Sequence, residues 1–293
     1  MKKATLFTLI VVFAIGIVAA ISGERLLLNW KGSKVSKTSL AQIKTLLEPS
    51  MVFRSPDPQT HGPGPYPVIV QFHGCAGARL VFQELWAKAA TDNGFAAVIV
   101  DSMRPRGFSR QAAAETICTG KKLLGQERAG DVAAALDLIR ARPEIDKERI
   151  ILTGWSHGAW TVMDYLTMDF VNKGPVNLTS EDFSKHNQPD IDGVILFYPY
   201  CGLGTRSRID DWQQKPQALT LIAGADTVVN HKDCLKRFSK LKQSGLHLDQ
   251  TIYPDTEHAF DDPFIEEAYQ HWHHRENMID AMSRYVGFIN RIK

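Results

Sequence analysis

Ile150-Ile151-Leu152-Thr153-Gly154-Trp155-Ser156-His157-Gly158 is the stretch on which the reading of this chain turns. Three aliphatic residues and a threonine predict a short buried strand, Gly-x-Ser-x-Gly follows, and Ala159 to Met168 continues with helical character. A serine between strand and helix has to sit on a sharp, strained turn, and flanking glycines remove the side chains that would collide there. Its hydroxyl then projects at the carboxyl edge of the sheet, where open α/β sheets bind ligands.

Outward from this turn, β-rich runs alternate with helical segments: Pro67 to Phe72, Phe95 to Val100, Arg149 to Thr153, Gly193 to Tyr200, Leu219 to Ala223 and Leu248 to Tyr253. Such alternation predicts a mostly parallel central sheet with helices on both faces. Ala129, Val132, Ala133, Leu136 and Ile139 recur at helical spacing and form the buried stripe of a crossover helix. Leu40, Ile43, Leu46 and Leu47 predict a short helix stopped by Pro49, within an otherwise polar linker over residues 24–50. Residues 171–190 are rich in Asn, Lys, Ser, Asp and Pro, and read as a surface excursion or partial lid.

A serine hydroxyl is a poor nucleophile near neutral pH, so it needs a histidine as general base and an acid that fixes the imidazole tautomer. An elbow of this kind calls for the chain order Ser, acid, His. Asp226 ends Gly224-Ala225-Asp226 directly after the Leu219 to Ala223 strand, 70 residues past Ser156. His258 follows the Leu248 to Tyr253 strand in the loop Pro254-Asp255-Thr256-Glu257-His258, 32 residues further on. Asp255 is the rival acid, and a helix cap is the alternative role for Asp226. Acyl transfer also needs donors for an oxyanion. The backbone N–H of His157 supplies one; the second comes from Cys75 or Ala76 in His73-Gly74-Cys75-Ala76-Gly77, after the first of these strands. His73 itself is expected to be structural.

These residues, with Asp101-Ser102-Met103-Arg104-Pro105-Arg106-Gly107 and His258-Ala259-Phe260, resemble the α/β-hydrolase superfamily and, within it, the dienelactone hydrolase family, over roughly residues 50–293. The resemblance implies an α/β-hydrolase fold and a cofactor-free hydrolase with Ser156, Asp226 and His258 as its triad. The family's namesake carries cysteine at the elbow where this chain has Ser156. A carboxylic ester hydrolase is therefore expected rather than an enzyme for dienelactone. A catalytically inert binding domain, and a peptidase or thioesterase on the same triad, are the rival readings.

The rest of the chain sets the context. Its 293 residues are 44% hydrophobic and 23% charged, with 34 Lys and Arg against 32 Asp and Glu, so no strong field recruits nucleic acid. A small-molecule ester is the expected partner. Residues 1–23 read as a signal peptide or membrane anchor: Lys2 and Lys3 precede an uncharged stretch over residues 4–21, then Ser22 and Gly23. Export to the periplasm or the extracellular space follows, with membrane contact through that segment where it is retained, and with residues 51–293 as the hydrolase domain. Four cysteines in an exported chain predict two disulfides, and strand order favours Cys75 with Cys118 and Cys201 with Cys234. His271, His273 and His274 with Glu266 and Glu267 scatter around a helix and read as a solvated face, not a metal site. Arg104 and Arg106 are either anchors for a substrate carboxylate or structural residues of their loop.

Overall fold

The structure is a computed structural model and describes residues 23–292; the signal or anchor predicted over residues 1–23 lies outside the described residues but for Gly23. Among the described residues, seven strands form one sheet in the order β1-β3-β2-β4-β5-β6-β7. They are β1 (Met51–Arg54), β2 (Tyr66–Phe72), β3 (Ala96–Val100), β4 (Ile145–Trp155), β5 (Gly193–Phe197), β6 (Gln217–Ala223) and β7 (Leu248–Tyr253). All neighbours pair in parallel except β1, which runs antiparallel to β3 at the edge. The sequence patterning finds the six parallel strands. It passes over β1, which has only four residues and ends on exposed Arg54.

Strand alternation divides the apolar side chains between two faces. Val68, Val70, Phe72, Ile150, Leu152, Val194 and Leu196 point to one core, and Ile69, Ile99, Ile151, Trp155, Ile195 and Phe197 to the other. In chain order the helices are α1 (residues 23–33), α2 (Leu40–Leu47), α3 (Pro58–His61), α4 (Leu80–Thr91), α5 (Arg110–Thr116), α6 (Gly125–Arg140), α7 (His157–Leu166), α8 (Ser180–Ser184), α9 (His231–Gln243) and α10 (Arg275–Ile292). Helices α2, α6, α7 and α9 cover the first face; α4 and α10 cover the second. The crossover stripe predicted from Ala129 to Ile139 lies on α6 and is fully buried. This is an α/β-hydrolase fold, a mostly parallel sheet between two helical layers.

Residues 24–50 do not extend from the body as a linker. Leu28 is buried and Gln126 Nε2 donates to its carbonyl at 3.2 Å, while Glu24 and Arg25 pair with Arg208 and Asp210 at 3.0 and 2.8 Å. Helix α2 starts at a capping box, in which Ser39 and Gln42 satisfy each other's backbone N–H groups, and it buries Leu40, Ile43 and Leu47. The excursion over residues 171–190 is likewise no lid. Buried Asn177, Leu178 and His186 hold it against the first face, and Lys37 Nζ donates to the carbonyls of Val176 and Leu178.

Strand order reverses between β2 and β4, because the chain passes from β2 to β3 on one side and returns over β2 to β4 on the other. Ligands bind outside the carboxyl ends of strands at such a switch point. Phe72 of β2 lies in register with Gly154 of β4, so the loop after β2 and the turn at Ser156 emerge side by side.

Candidate active site

Ser156 adopts φ 52° and ψ −113°, a left-handed conformation that costs a β-carbon residue on the order of 1–3 kcal/mol and persists only where the surroundings over-determine it. Those surroundings are visible. The Ser156 N–H donates to the Phe197 carbonyl at 2.9 Å, tying the turn to β5. A Cβ at Gly154 would lie 2.4 Å from the Ala159 nitrogen, and one at Gly158 would lie 1.9 Å from the Phe72 carbonyl oxygen. Only glycines let β4, α7 and the end of β2 approach so closely.

The loops after β6 and β7 are bound to each other. Ala225 N–H donates to the Thr256 carbonyl at 3.0 Å and Gly224 N–H to the Tyr253 carbonyl at 2.8 Å. A side chain at Gly224 would strike the Pro254 backbone, at 2.7 Å from its carbonyl oxygen. This docking brings Asp226 Oδ2 within 2.7 Å of His258 Nδ1. Asp226 Oδ1 accepts the N–H groups of Val228 and Val229 at 2.9 and 2.8 Å, so the carboxylate is held at both oxygens. Asp255, the rival acid, is exposed on the loop.

Ser156 and His258 line one cavity of about 300 Å³, together with Gly74, Cys75, Ala76, Tyr198 and Trp272. The structure thus gathers the predicted site residues at one edge of the sheet. Tyr198 packs its ring 4.6 Å from the His258 ring, and its hydroxyl donates to Asp261 Oδ1 at 2.7 Å. Trp155 Nε1 donates to the other oxygen, Asp261 Oδ2, at 2.9 Å. Burial pushes the Asp261 carboxyl up to about 7. Sequence reasoning missed both Tyr198 and Asp261. The available signals were a tyrosine directly after β5 and an acid three residues past His258.

The loop after β2 is braced from below by a buried polar network. Fully buried Arg128 donates to the His73 carbonyl at 2.8 Å through Nη1 and to Ser102 Oγ at 2.9 Å through Nε, and its Nη1 meets His157 Nδ1 at 3.1 Å. His73 accepts the Ser102 N–H on Nε2 at 3.1 Å and faces the Gly74 carbonyl with Nδ1 at 2.7 Å, which fits its structural role. Burial, then the Arg128 charge, lowers the pKa of His73 and carries that of His157 well below the ordinary histidine value. Above the network the Cys75–Cys118 disulfide ties the same loop to the segment after α5, and Cys201–Cys234 joins the loop after β5 to α9. Both pairings are those expected, and two disulfides point to a secreted or exported protein.

Two other candidate groups are accounted for differently. Arg106 is structural: it forms a two-pronged pair with buried Asp131 at 2.7 and 3.0 Å, while exposed Arg104 faces Asp101 at 3.6 Å. Glu266 is taken by Arg79 and Arg110 at 2.8 and 2.7 Å, and His273 Nδ1 sits 3.1 Å from the Phe260 carbonyl.

With this geometry in place, comparison with known proteins is decisive for the family. The sequence profile of the dienelactone hydrolase family matches residues 54–174 and 179–291. The chain belongs to that family. As a dienelactone hydrolase family member it shares its fold with solved hydrolases at low identity. A dienelactone hydrolase-like promiscuous phosphotriesterase from metagenomic libraries aligns with a TM-score of 0.59 and 15% identity, over 83% of this chain and 98% of that one. A carboxylesterase from Lactobacillus plantarum WCFS1 aligns with a TM-score of 0.59 and 14% identity, over 80% of this chain and 89% of that one. By sequence, the probable dipeptidyl-aminopeptidase B of Trichophyton verrucosum is 24% identical over 225 residues, covering 72% of this chain. This family member spans about 24% of the length of that relative.

Proposed function

We propose that the protein is an exported serine hydrolase that cleaves small or medium carboxylic esters through an acyl-enzyme. The observation that carries this reading is the 2.7 Å contact between Asp226 and His258 beside a cavity that His258 shares with the strained Ser156 turn. In the proposed mechanism Ser156 Oγ attacks the ester carbonyl carbon while His258 Nε2 takes the hydroxyl proton. Asp226 holds Nδ1–H and stabilises the imidazolium as it forms. The tetrahedral oxyanion is received by the His157 N–H and by an N–H of the Cys75-Ala76 segment. Collapse breaks the bond to the alkoxy group, which leaves as the alcohol with the proton from His258. A water, deprotonated by the same imidazole, then releases the acid from Ser156.

Purified protein treated with a fluorophosphonate tests this reading. Label is expected on Ser156, and Ser156→Ala is expected to abolish it while thermal unfolding stays cooperative. Label on another residue, or none on folded protein, overturns it. A peptidase on the same triad is supported by the dipeptidyl-aminopeptidase relatives, and parallel assays of acyl 4-nitrophenyl esters and aminoacyl 4-nitroanilides separate the two. Export itself is supported by the two disulfides.

A further inference from the structure

Ser156 lies on the wall between two cavities. The first, described above, holds His258. The second, of about 290 Å³, is lined by Ser156 but not by His258, and the two also share Cys75, Cys118 and Val228. Its lining mixes polar and apolar surface, with Ile117, Leu124, Trp160 and Leu203 among the apolar walls, and it includes one cationic side chain among the described residues, that of Lys31. His157, which also lines it, is kept neutral by burial and by the Arg128 charge.

The ammonium group of Lys31 has no ion pair, hydrogen bond or ring contact among the described residues. Its contrast with the first cavity is sharp. There Arg79 pairs with Asp262 at 3.1 Å and with Glu266 at 2.8 Å, and Arg110 pairs with Glu266, so those charges are already compensated. Lys31 is also held in place, since it sits on α1, which Leu28, Glu24 and Arg25 fasten to the body. It precedes residue 54, where the match to the family begins.

We infer that the second cavity is an acyl-group subsite and that Lys31 selects acyl chains ending in an anion, such as the free carboxylate of a dicarboxylic acid monoester. The inference rests on the serine hydrolase reading. His258 must hand its proton to the departing alcohol, so the alcohol half lies on the His258 side of Ser156. The acyl half is then left with the second cavity, which Ser156 lines without His258. A volume of about 290 Å³ matches roughly ten water volumes, which suits a short acyl chain of comparable heavy-atom count. The apolar part of the wall, Ile117, Leu124 and Trp160, faces its methylene groups, and an uncompensated ammonium meets a terminal carboxylate.

The test compares kcat/KM for the mono-4-nitrophenyl ester of adipic acid with that for 4-nitrophenyl hexanoate, in wild type, Lys31→Met, Lys31→Glu and Lys31→Arg. The adipate-to-hexanoate ratio is expected to fall on the order of tenfold in Lys31→Met and further in Lys31→Glu, chiefly through KM, and to be retained in Lys31→Arg. In wild type the ratio should also decline with added salt, as an exposed charge contact does. An active enzyme whose ratio is indifferent to residue 31 overturns the subsite and leaves the hydrolase reading intact. Folded protein that hydrolyses neither ester and takes no fluorophosphonate overturns the hydrolase reading, and the subsite with it.

Discussion

Asp226 and His258 meet at 2.7 Å with the carboxylate side chain wholly removed from solvent. A carboxylate so placed fixes the imidazole with its proton on Nδ1 and leaves Nε2 free for Ser156. Asp226→Asn is expected to lower kcat by on the order of 10³–10⁴, as asparagine does when it imposes the wrong tautomer at such a position. Asp255→Asn, on the exposed rim of the same loop, is expected to change kcat less than threefold. Steady-state kinetics on one ester decides it, and a larger loss at Asp255 moves the acid there.

The positions proposed for the triad are legible because each falls at a strand end, and strand ends follow from apolar runs that the sequence displays. What stayed illegible depends on tertiary partners. Asp261 is an unremarkable acid in the sequence, and its pairing with Tyr198 and Trp155 exists only once β4, β5 and the His258 loop have come together. Helix α1 reads as linker because Leu26 and Leu27 are exposed and Leu28 is the one large apolar side chain that it buries, its other ties being the ion pairs of Glu24 and Arg25. The excursion over residues 171–190 looked like a lid because its polarity conceals the few residues it buries.

The elbow glycines differ sharply from glycines elsewhere. In Gly158→Ala the new Cβ would lie 1.9 Å from the Phe72 carbonyl oxygen, a backbone atom that cannot turn aside. Loss of soluble protein, or a melting temperature lowered by more than 10 °C, is expected. Gly287→Ala has open space around it inside α10, and it should stabilise by up to about 1 kcal/mol through helix propensity. Thermal unfolding of the two variants makes the comparison, and a benign Gly158→Ala would contradict the packing described for the elbow.

The two disulfides close sequence separations of 43 and 33 residues, so the chain-entropy account gives them stabilising contributions within about 0.3 kcal/mol of each other. Their effects on activity should differ. Cys75 belongs to the loop proposed to donate to the oxyanion, and its bridge borders both cavities at Ser156. The double variant Cys75→Ala/Cys118→Ala is expected to lose at least tenfold in kcat, approaching the loss of an oxyanion donor. Cys201→Ala/Cys234→Ala should lose stability to a similar degree and retain most activity. Equal losses of kcat would show that the first bridge has no positioning role.

Stability should respond to pH through two opposed sets of buried groups. His73 and His157 titrate below the ordinary histidine value when folded, so the unfolded chain takes up protons near pH 6.5 that the folded chain refuses. Their contribution is present above that pH and is lost as the pH falls. Asp261 behaves in the reverse sense: burial first, and the neighbouring Asp262 charge, raise it to about 7, so the folded chain retains a proton that the unfolded chain releases near pH 4. Its contribution is full below pH 4 and disappears as the pH rises through 7. Asn at this position can still accept from Trp155 Nε1 and can donate to the Tyr198 hydroxyl oxygen, which removes the titration while keeping both contacts. Urea unfolding at pH 5 and pH 8 is therefore expected to show wild type losing stability relative to Asp261→Asn at the higher pH. A difference between the two proteins that does not change with pH would mean that Asp261 carries no proton in the folded state.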